Sequence, residues 1–292
     1  MKVLNYGSLN IDNVYSVEHF VRGGETLSSS KMEIFSGGKG LNQSIALAKS
    51  GVEVWHAGAV GESDGEFLLE MMKNAGVDVR LVAHTAGKTG HAIIQRDMNG
   101  QNCILLYGGA NQEITRAQVD AAMECFEAGD FLVLQNEINE IAYIMEKAHE
   151  KGMKIVLNPS PMDEKIAGYP LDYVDYFLLN EIEAGDICGC QGSGRELLDK
   201  LGERFPGAKI VLTLGGDGSM YKDGDLVLEQ PIYRVPVVDT TAAGDTFTGF
   251  FIGGLMRGEE PKTALDHAAK AAAIAVSRPG AAPSIPDRSE VE

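Results

Sequence analysis

Short apolar runs alternate with amphipathic stretches along most of the chain. The runs at Val3 to Tyr6, Val52 to Ala57, Phe131 to Leu134, Lys154 to Leu157, Tyr176 to Leu179 and Ile210 to Leu214 are nearly continuous in hydrophobic character, as strands buried on both faces are. Segments between them, such as Thr115 to Ala128 and Ile141 to Lys151, have helical character. Strand then helix, repeated, predicts an α/β fold: a mostly parallel, doubly wound sheet with helices on both faces.

Two stretches break the alternation. Ile11 to Phe35 and Val77 to Tyr107 hold consecutive strand-like pieces with turn signals at Gly23-Gly24, Gly87-Lys88 and Asn99-Gly100, and little helix. They predict a small antiparallel sheet beside the main body. There is no long linker, repeat or low-complexity segment, so a single domain is expected over 1–292. The residues after Pro286 read as a frayed polar tail.

With 292 residues and 44% hydrophobic residues, the chain can bury one large core or a core plus a small appendage. Its net charge of −17 opposes binding to nucleic acid or an anionic membrane, both of which are held by basic patches. The start lacks a signal-peptide pattern and no apolar run approaches bilayer length, which predicts a cytoplasmic protein. Cys103, Cys125, Cys188 and Cys190 are too scattered for a disulfide framework. Cys188-Gly189-Cys190 has one intervening residue where zinc and redox motifs usually have two, and reads as a helix end with two incidental thiols. The histidines fall at no ligand spacing.

The most informative chemistry lies at Asp239-Thr240-Thr241-Ala242-Ala243-Gly244-Asp245-Thr246-Phe247. An apolar strand pattern (Tyr233, Val235, Val237, Val238) precedes this small-residue turn, and Thr248 to Arg257 can continue it as a helix. Ala242 to Asp245 then sit at a helix start, where free N–H groups and the positive end of the helix dipole hold phosphate. Gly244 allows close approach of a ligand, and Asp245 brings a carboxylate that could take a proton from a hydroxyl. The alternative is that Asp245 is only a cap. Other phosphate motifs fail. Gly87-Lys88-Thr89 has Val82 where a P-loop needs Gly, and no Gly-x-Gly-x-x-Gly follows the first strand.

A second segment, Gly37-Gly38-Lys39-Gly40-Leu41-Asn42-Gln43, precedes a short helix and a buried strand, and runs on through Gly58-Ala59-Val60-Gly61-Glu62-Ser63-Asp64-Gly65. Asn158-Pro159-Ser160-Pro161, Asn180-Glu181-Ile182-Glu183, Thr213-Leu214-Gly215-Gly216-Asp217-Gly218 and Arg278-Pro279-Gly280-Ala281-Ala282-Pro283-Ser284 follow in order. Together with the turn at Asp245, and over nearly the whole chain, these segments resemble the ribokinase family of PfkB-type carbohydrate kinases.

The resemblance implies an ATP-dependent kinase of a small furanose sugar, with D-ribose going to the 5-phosphate. Another sugar, a nucleoside or a sugar phosphate as substrate, or a non-catalytic sugar-sensing relative, are the alternatives. It implies that Asp245 is the general base and that the amides of Ala243, Gly244 and Asp245 steady the transferred phosphoryl group. ATP would lie over Asn180, Thr213, Gly215 and Gly218, although the last segment also reads as an ordinary hairpin. Asn180 and Glu183 would hold Mg2+ through water, or else be only a capping pair. The sugar candidates are Asn10, Asp12, Gly38, Lys39, Asn42 and Glu137. Asn10 and Asp12 are two apart, on one side of a strand, and Glu137 ends a strand at the carboxyl edge of the sheet. His91 runs beside this pocket, where packing is its expected role.

In family members that respond to potassium, the positions matching Asp239, Thr241, Ala275, Arg278, Gly280 and Ser284 surround the ion; an Asp239–Arg278 ion pair is the alternative. The two irregular stretches would form a lid that closes over the sugar and pairs with that of a second subunit in a homodimer. One position departs from the pattern. Ala269 stands where the family commonly has a polar side chain near adenine, and Lys270 or His267 could compensate.

Overall fold

The computed structural model describes residues 1–292. The chain opens with β1 (Val3–Tyr6), β2 (Asn10–Ser16), β3 (Lys31–Gly37), α1 (Lys39–Lys49), β4 (Val54–Gly61), α2 (Glu66–Asn74), β5 (Asp78–Thr85), β6 (Gly90–Arg96) and β7 (Asn102–Tyr107). It continues through α3 (Arg116–Met123), β8 (Phe131–Gln135), α4 (Ile141–Lys151), β9 (Lys154–Asn158), β10 (Tyr176–Asn180), α5 (Glu181–Cys188) and α6 (Gly194–Arg204). The last third holds β11 (Lys209–Thr213), β12 (Ser219–Asp223), β13 (Leu226–Gln230), α7 (Ala243–Met256) and α8 (Pro261–Val276).

Nine strands form the large sheet in the order β13-β12-β11-β10-β9-β8-β1-β4-β5. It is parallel from β5 to β11 and antiparallel at β12 and β13. Strand parity divides its core. Leu4, Leu132, Leu134, Ile155, Leu157, Phe177 and Leu179 pack with α3 to α6. Val3, Phe131, Val133, Val156 and Leu178 pack on the other face with α1, α2, α7 and α8. Both faces of the sheet are therefore covered, as the continuous apolar strands require. No helix is long and apolar enough to cross a membrane.

The small sheet has the order β3-β2-β6-β7. Its outer pairs are antiparallel, while its central β2–β6 pair is parallel because a long excursion through the main body separates the two strands. The expected lid range of 77–107 is too wide. Asp78–Thr85 is the parallel edge strand of the large sheet, paired with β4, so the lid strands from this stretch are only β6 and β7. An edge strand alternates exposed and buried residues much as a lid strand does.

Two further expectations are corrected. Tyr233 to Val238 form no strand; Val237 and Val238 are 65% and 59% exposed, and the segment is held at its two ends, where the Tyr233 hydroxyl donates to Asp266 and the Val238 and Asp239 N–H groups donate to the Val276 carbonyl. The tail is docked rather than frayed. Val291 is buried, Asp287 and Glu290 form a capping box, and Glu290 and Glu292 pair with Arg278 and Arg288. The thiols lie as read: α5 ends at Cys188 and Gly189 caps it in the left-handed conformation.

Candidate active site

Ala242 begins the site by adopting the left-handed conformation, φ 60°, which is uncommon for a residue with a Cβ and turns the chain sharply into α7. Of the three expected amides, that of Ala243 donates to the Thr240 carbonyl at 3.3 Å, whereas those of Gly244 and Asp245 find no acceptor in the chain. A Cβ added at Gly244 would meet nothing within 4 Å, so the space beside these two donors is open. That is the arrangement an anion needs. The Asp245 side chain does not cap the helix. It is 7% exposed, taking one hydrogen bond at Oδ2 from the Asn42 amide (3.0 Å) and one at Oδ1 from the Gln43 amide (2.9 Å).

Asn42 was expected on the sugar, yet its Nδ2 serves Asp245 and only its buried Oδ1 is left without a partner. The reason is α1, whose first turns lie against α7, so consecutive side chains 42 and 43 reach opposite oxygens of one carboxylate. Gln43 was not among the candidates, although it adjoins Asn42 in the motif.

Beside Asp245 is a cavity of about 210 Å³. Thr240, Ala242 to Asp245 and Thr248 form one wall; Leu178 to Asn180, Glu183 and Thr213 form the opposite one, with Lys39, Asn158 and Ser160 between them. Asn180 and Glu183 make the reciprocal capping box foreseen as the alternative to metal binding, at 2.9 and 3.0 Å. Both residues nevertheless line the cavity, and Glu183 is 6% exposed. Gly215 and Gly218 do not line it. Their positive φ angles, 54° and 100°, shape the connection between β11 and β12, and the Leu214 N–H closes that turn on the Gly218 carbonyl at 2.8 Å.

A second group of acids adjoins the first. Asn10 and Asp12 share one face of β2, in register with Gly37 and Phe35 of β3. Asn111, absent from the candidates, holds Asn10 by donating to its Oδ1 at 2.8 Å. Glu137 takes hydrogen bonds from the Ser8 hydroxyl and, at 2.9 Å, from the Lys39 N–H. Gly38, φ 94°, provides the turn that sets Lys39 there. Burial, followed by the Glu137 charge, pushes the Asp12 carboxyl up to about 6. Burial also raises Glu137, and the Asp245 charge adds to that. Asp12, Glu137 and Asp245 thus form one acidic trio, with Lys39 as the cation beside it. His91 contacts the Tyr107 ring at 5.0 Å and sits on the opposite face of the small sheet from Asp12.

At the expected cation site, Asp239 already fastens the two loops. Its Oδ1 accepts from the Thr241 N–H (2.9 Å) and hydroxyl (2.6 Å), and its Oδ2 from the Gly280 N–H (3.1 Å). Burial raises this carboxyl, but those bonds outweigh it and hold the group below its ordinary range. Arg278 pairs with Glu290, so the Asp239–Arg278 ion pair is not made. The Ala275 carbonyl accepts from the Arg278 N–H, and Ser284 donates to Ala281. Ala269 is half-buried, while Lys270 is paired with Asp266 and His267 with Glu259.

A fold of two sheets with an amide-bound aspartate at a helix entrance defines a class, and comparison with known proteins names it. The pfkB family carbohydrate kinase model matches residues 1–288. The chain belongs to the pfkB family of carbohydrate kinases. It is 36% identical over 300 residues to the ribokinase of Staphylococcus aureus (strain COL), covering 99% of this chain and 98% of that protein. Among solved structures, ribokinase from Cryptococcus neoformans var. grubii in complex with ADP superposes with a TM-score of 0.88 at 31% identity, over 99% of this chain and 98% of that one. Arabidopsis thaliana ribokinase complexed with ribose and ATP gives 0.90 at 29% identity, over 99% and 97%. The chain is therefore an ATP-dependent sugar kinase.

Proposed function

We propose that the sugar is D-ribose and the product its 5-phosphate, and that Asp245 is the general base. The observation that carries this is the pairing of a twice-bonded carboxylate with the free N–H groups of Gly244 and Asp245 on an open cavity. Asp245 would draw the proton from the attacking hydroxyl, while the two N–H groups hold charge on the phosphoryl oxygens. Asn10, Asp12, Glu137 and the free Oδ1 of Asn42 suit neutral hydroxyls. Three acids beside one lysine disfavour a sugar that already carries phosphate.

ATP would lie across the cavity between α7 and Asn180, with Thr213 below it. The residues fit Mg2+: Glu183 lines the cavity with one carboxylate oxygen outside its capping bond, and bound Mg2+ would neutralise phosphate charge. For K+, the oxygens of Asp239, Thr241, Ser284 and the Ala275, Arg278 and Gly280 carbonyls supply the right donor type. Since Asp239 bridges the loops by itself, such an ion would refine their position rather than create it. The exposed small sheet suggests a homodimer: Ile34, Ile93 and Leu105, at 56%, 40% and 67% exposure, share one cross-strand row with Asn13 between Ile34 and Ile93, and a second copy would cover their apolar surface. A cytoplasmic setting follows from the use of ATP.

The test is a coupled ADP-release assay over ribose, deoxyribose, fructose 6-phosphate and a nucleoside. Ribose should lead in kcat/KM by about tenfold or more, the scale of one hydroxyl contact. A preference for a phosphorylated sugar or a nucleoside overturns the assignment.

A further inference from the structure

Four polar side chains interrupt the apolar strands on the face that carries α1. Asn5 on β1, His56 on β4, Gln135 on β8 and Asn158 on β9 occupy neighbouring strands in the order β9-β8-β1-β4, and parity sends all of them to the same side as Val3, Val133 and Val156. Asn5, His56 and Gln135 are fully buried, as are Gln43 and Ser44 on the facing helix. A polar row under a helix is costly unless its members satisfy one another.

They are joined end to end. The Gln43 amide donates to Asp245 at 2.9 Å and to Asn158 at 3.2 Å; its Oε1 accepts from the Gln135 amide at 2.6 Å. Gln135 also donates to Asn5 Oδ1 at 2.9 Å, and Asn5 donates to the Gly40 carbonyl and Ser44 hydroxyl at 2.7 and 2.8 Å. Ser44 meets the His56 ring at 2.7 Å.

The direction of every amide follows from the acidic end. A carboxylate only accepts, so Gln43 must present its nitrogen to Asp245 and its oxygen to Gln135. Gln135 must then present nitrogen, which finds oxygen on Asn5, whose own nitrogen serves Gly40 and Ser44. Turning any one amide over would set oxygen against oxygen. Burial holds His56 near 4, so the far end stays neutral at physiological pH.

We infer that Gln135, which does not touch the cavity, is a positioning residue for phosphoryl transfer: it locks the Gln43 amide with its nitrogen toward Asp245, so that the carboxylate stays fixed in direction. The inference rests on Asp245 being the base. Without Gln135, Gln43 could rotate and offer Asp245 its oxygen; loss of a donor raises a carboxyl's pKa and frees its orientation. The charged groups facing Asp245 are Glu137 and Lys39.

The test compares Gln135→Met, Gln43→Glu and Asp245→Asn with the parent enzyme in kcat, KM for ribose and ATP, kcat against pH, and thermal unfolding. Gln135→Met should lower kcat by about tenfold, leave both KM values within about twofold, and move the acid limb of kcat to higher pH. Gln43→Glu keeps the side-chain size and the acceptor for Gln135 but sets a second acid on Asp245; the same limb should move further. If Gln135→Met unfolds early, Gln43→Glu alone decides. Unchanged kcat and limb in the variants with Asp245→Asn inactive would overturn the relay and keep the base. An active Asp245→Asn would overturn the base itself. A fall in kcat matched by a rise in the ribose KM with the limb unmoved means a structural lesion, and overturns the relay as well.

Discussion

The base corner and the lid are built in opposite ways. Asp245 is 7% exposed and bonded on both oxygens by side chains that are themselves buried. The lid strand β7 is exposed along its whole length, with Ile104, Leu105 and Leu106 at 60%, 67% and 50%. One region is completed within its own chain; the other leaves apolar surface that its own chain does not cover. The carboxylate at the entrance of α7 is thus fixed in direction by its own chain, while the small sheet keeps an apolar face uncovered. Changes at the corner should therefore act on kcat, and changes in the lid on sugar binding and assembly.

The largest effect is expected at the corner. Asp245→Asn keeps the shape but cannot accept a proton, and should lose at least about 100-fold in kcat while ribose still binds, measured by single-turnover kinetics and calorimetry. Near-normal turnover would mean that another group takes the proton.

Asp12 lies between the two regions, on a lid strand but next to Glu137. Asp12→Ala should weaken ribose binding by about 1.5–3 kcal/mol, the range for hydrogen bonds to a charged group. The same residue should cost the empty protein stability. Its carboxyl is raised to about 6 in the fold, so the folded state holds the proton more tightly than the unfolded chain. The cost is absent below the unfolded value near 4, grows as pH rises toward about 6, and is complete above it. Asp12→Asn should accordingly unfold at a higher temperature than the parent at pH 8, by roughly 2 kcal/mol, and at the same temperature near pH 4. Equal stability at both pH values would show that Asp12 is not held in a desolvated site.

In the small sheet, Leu105→Asp puts a charge at the β7 end of the Ile34–Asn13–Ile93–Leu105 row. The expected result is a monomer by sedimentation, with the ribose KM raised about tenfold, or 1.4 kcal/mol, and kcat nearly kept. A dimer that survives the substitution would place the subunit contact elsewhere.

The same contrast separates what was legible in the sequence from what was not. Ile141 to Lys151 is a helix over the expected residues because Ile141, Ile144, Met145 and Ala148 form one buried face. Strands Lys154–Asn158 and Tyr176–Asn180 run one residue beyond their apolar runs, each ending in the asparagine that enters the site. Motif order brought Asp245, Gly244, Lys39 and Asn180 to one cavity. Asp78–Thr85 was misassigned because alternation says that a strand is half-covered, not which sheet it joins. Tyr233 to Val238 alternates as well, yet has no partner strand. Asn5 inside β1, and Gln135 and Asn158 at the ends of β8 and β9, are polar breaks in otherwise apolar strands. Their common purpose was hidden, because it depends on strand order, which joins residues 130 positions apart.

The smallest effect is expected from the monovalent cation. An ion that alone tied the Asp239–Thr241 segment to the Arg278–Ser284 loop would give a large dependence. Asp239 instead spans the gap directly, with Oδ2 on the Gly280 N–H at 3.1 Å and Oδ1 on both donors of Thr241. An ion bound there would only trim the aim of the Gly244 and Asp245 N–H groups, and its removal should lower kcat by about two- to tenfold, or 0.4–1.4 kcal/mol, with the ribose KM unchanged. Rates in tetramethylammonium buffer with K+ or Na+ restored at fixed ionic strength measure this. Asp239→Asn supplies the complementary arm: an amide can keep one acceptor bond to Thr241 or Gly280 but not both, and it attracts a cation far less. If the variant loses more than ion removal does, the carboxylate itself is the tie; if the two losses are equal, the ion acts through it; if neither changes kcat, this corner does not guide phosphoryl transfer.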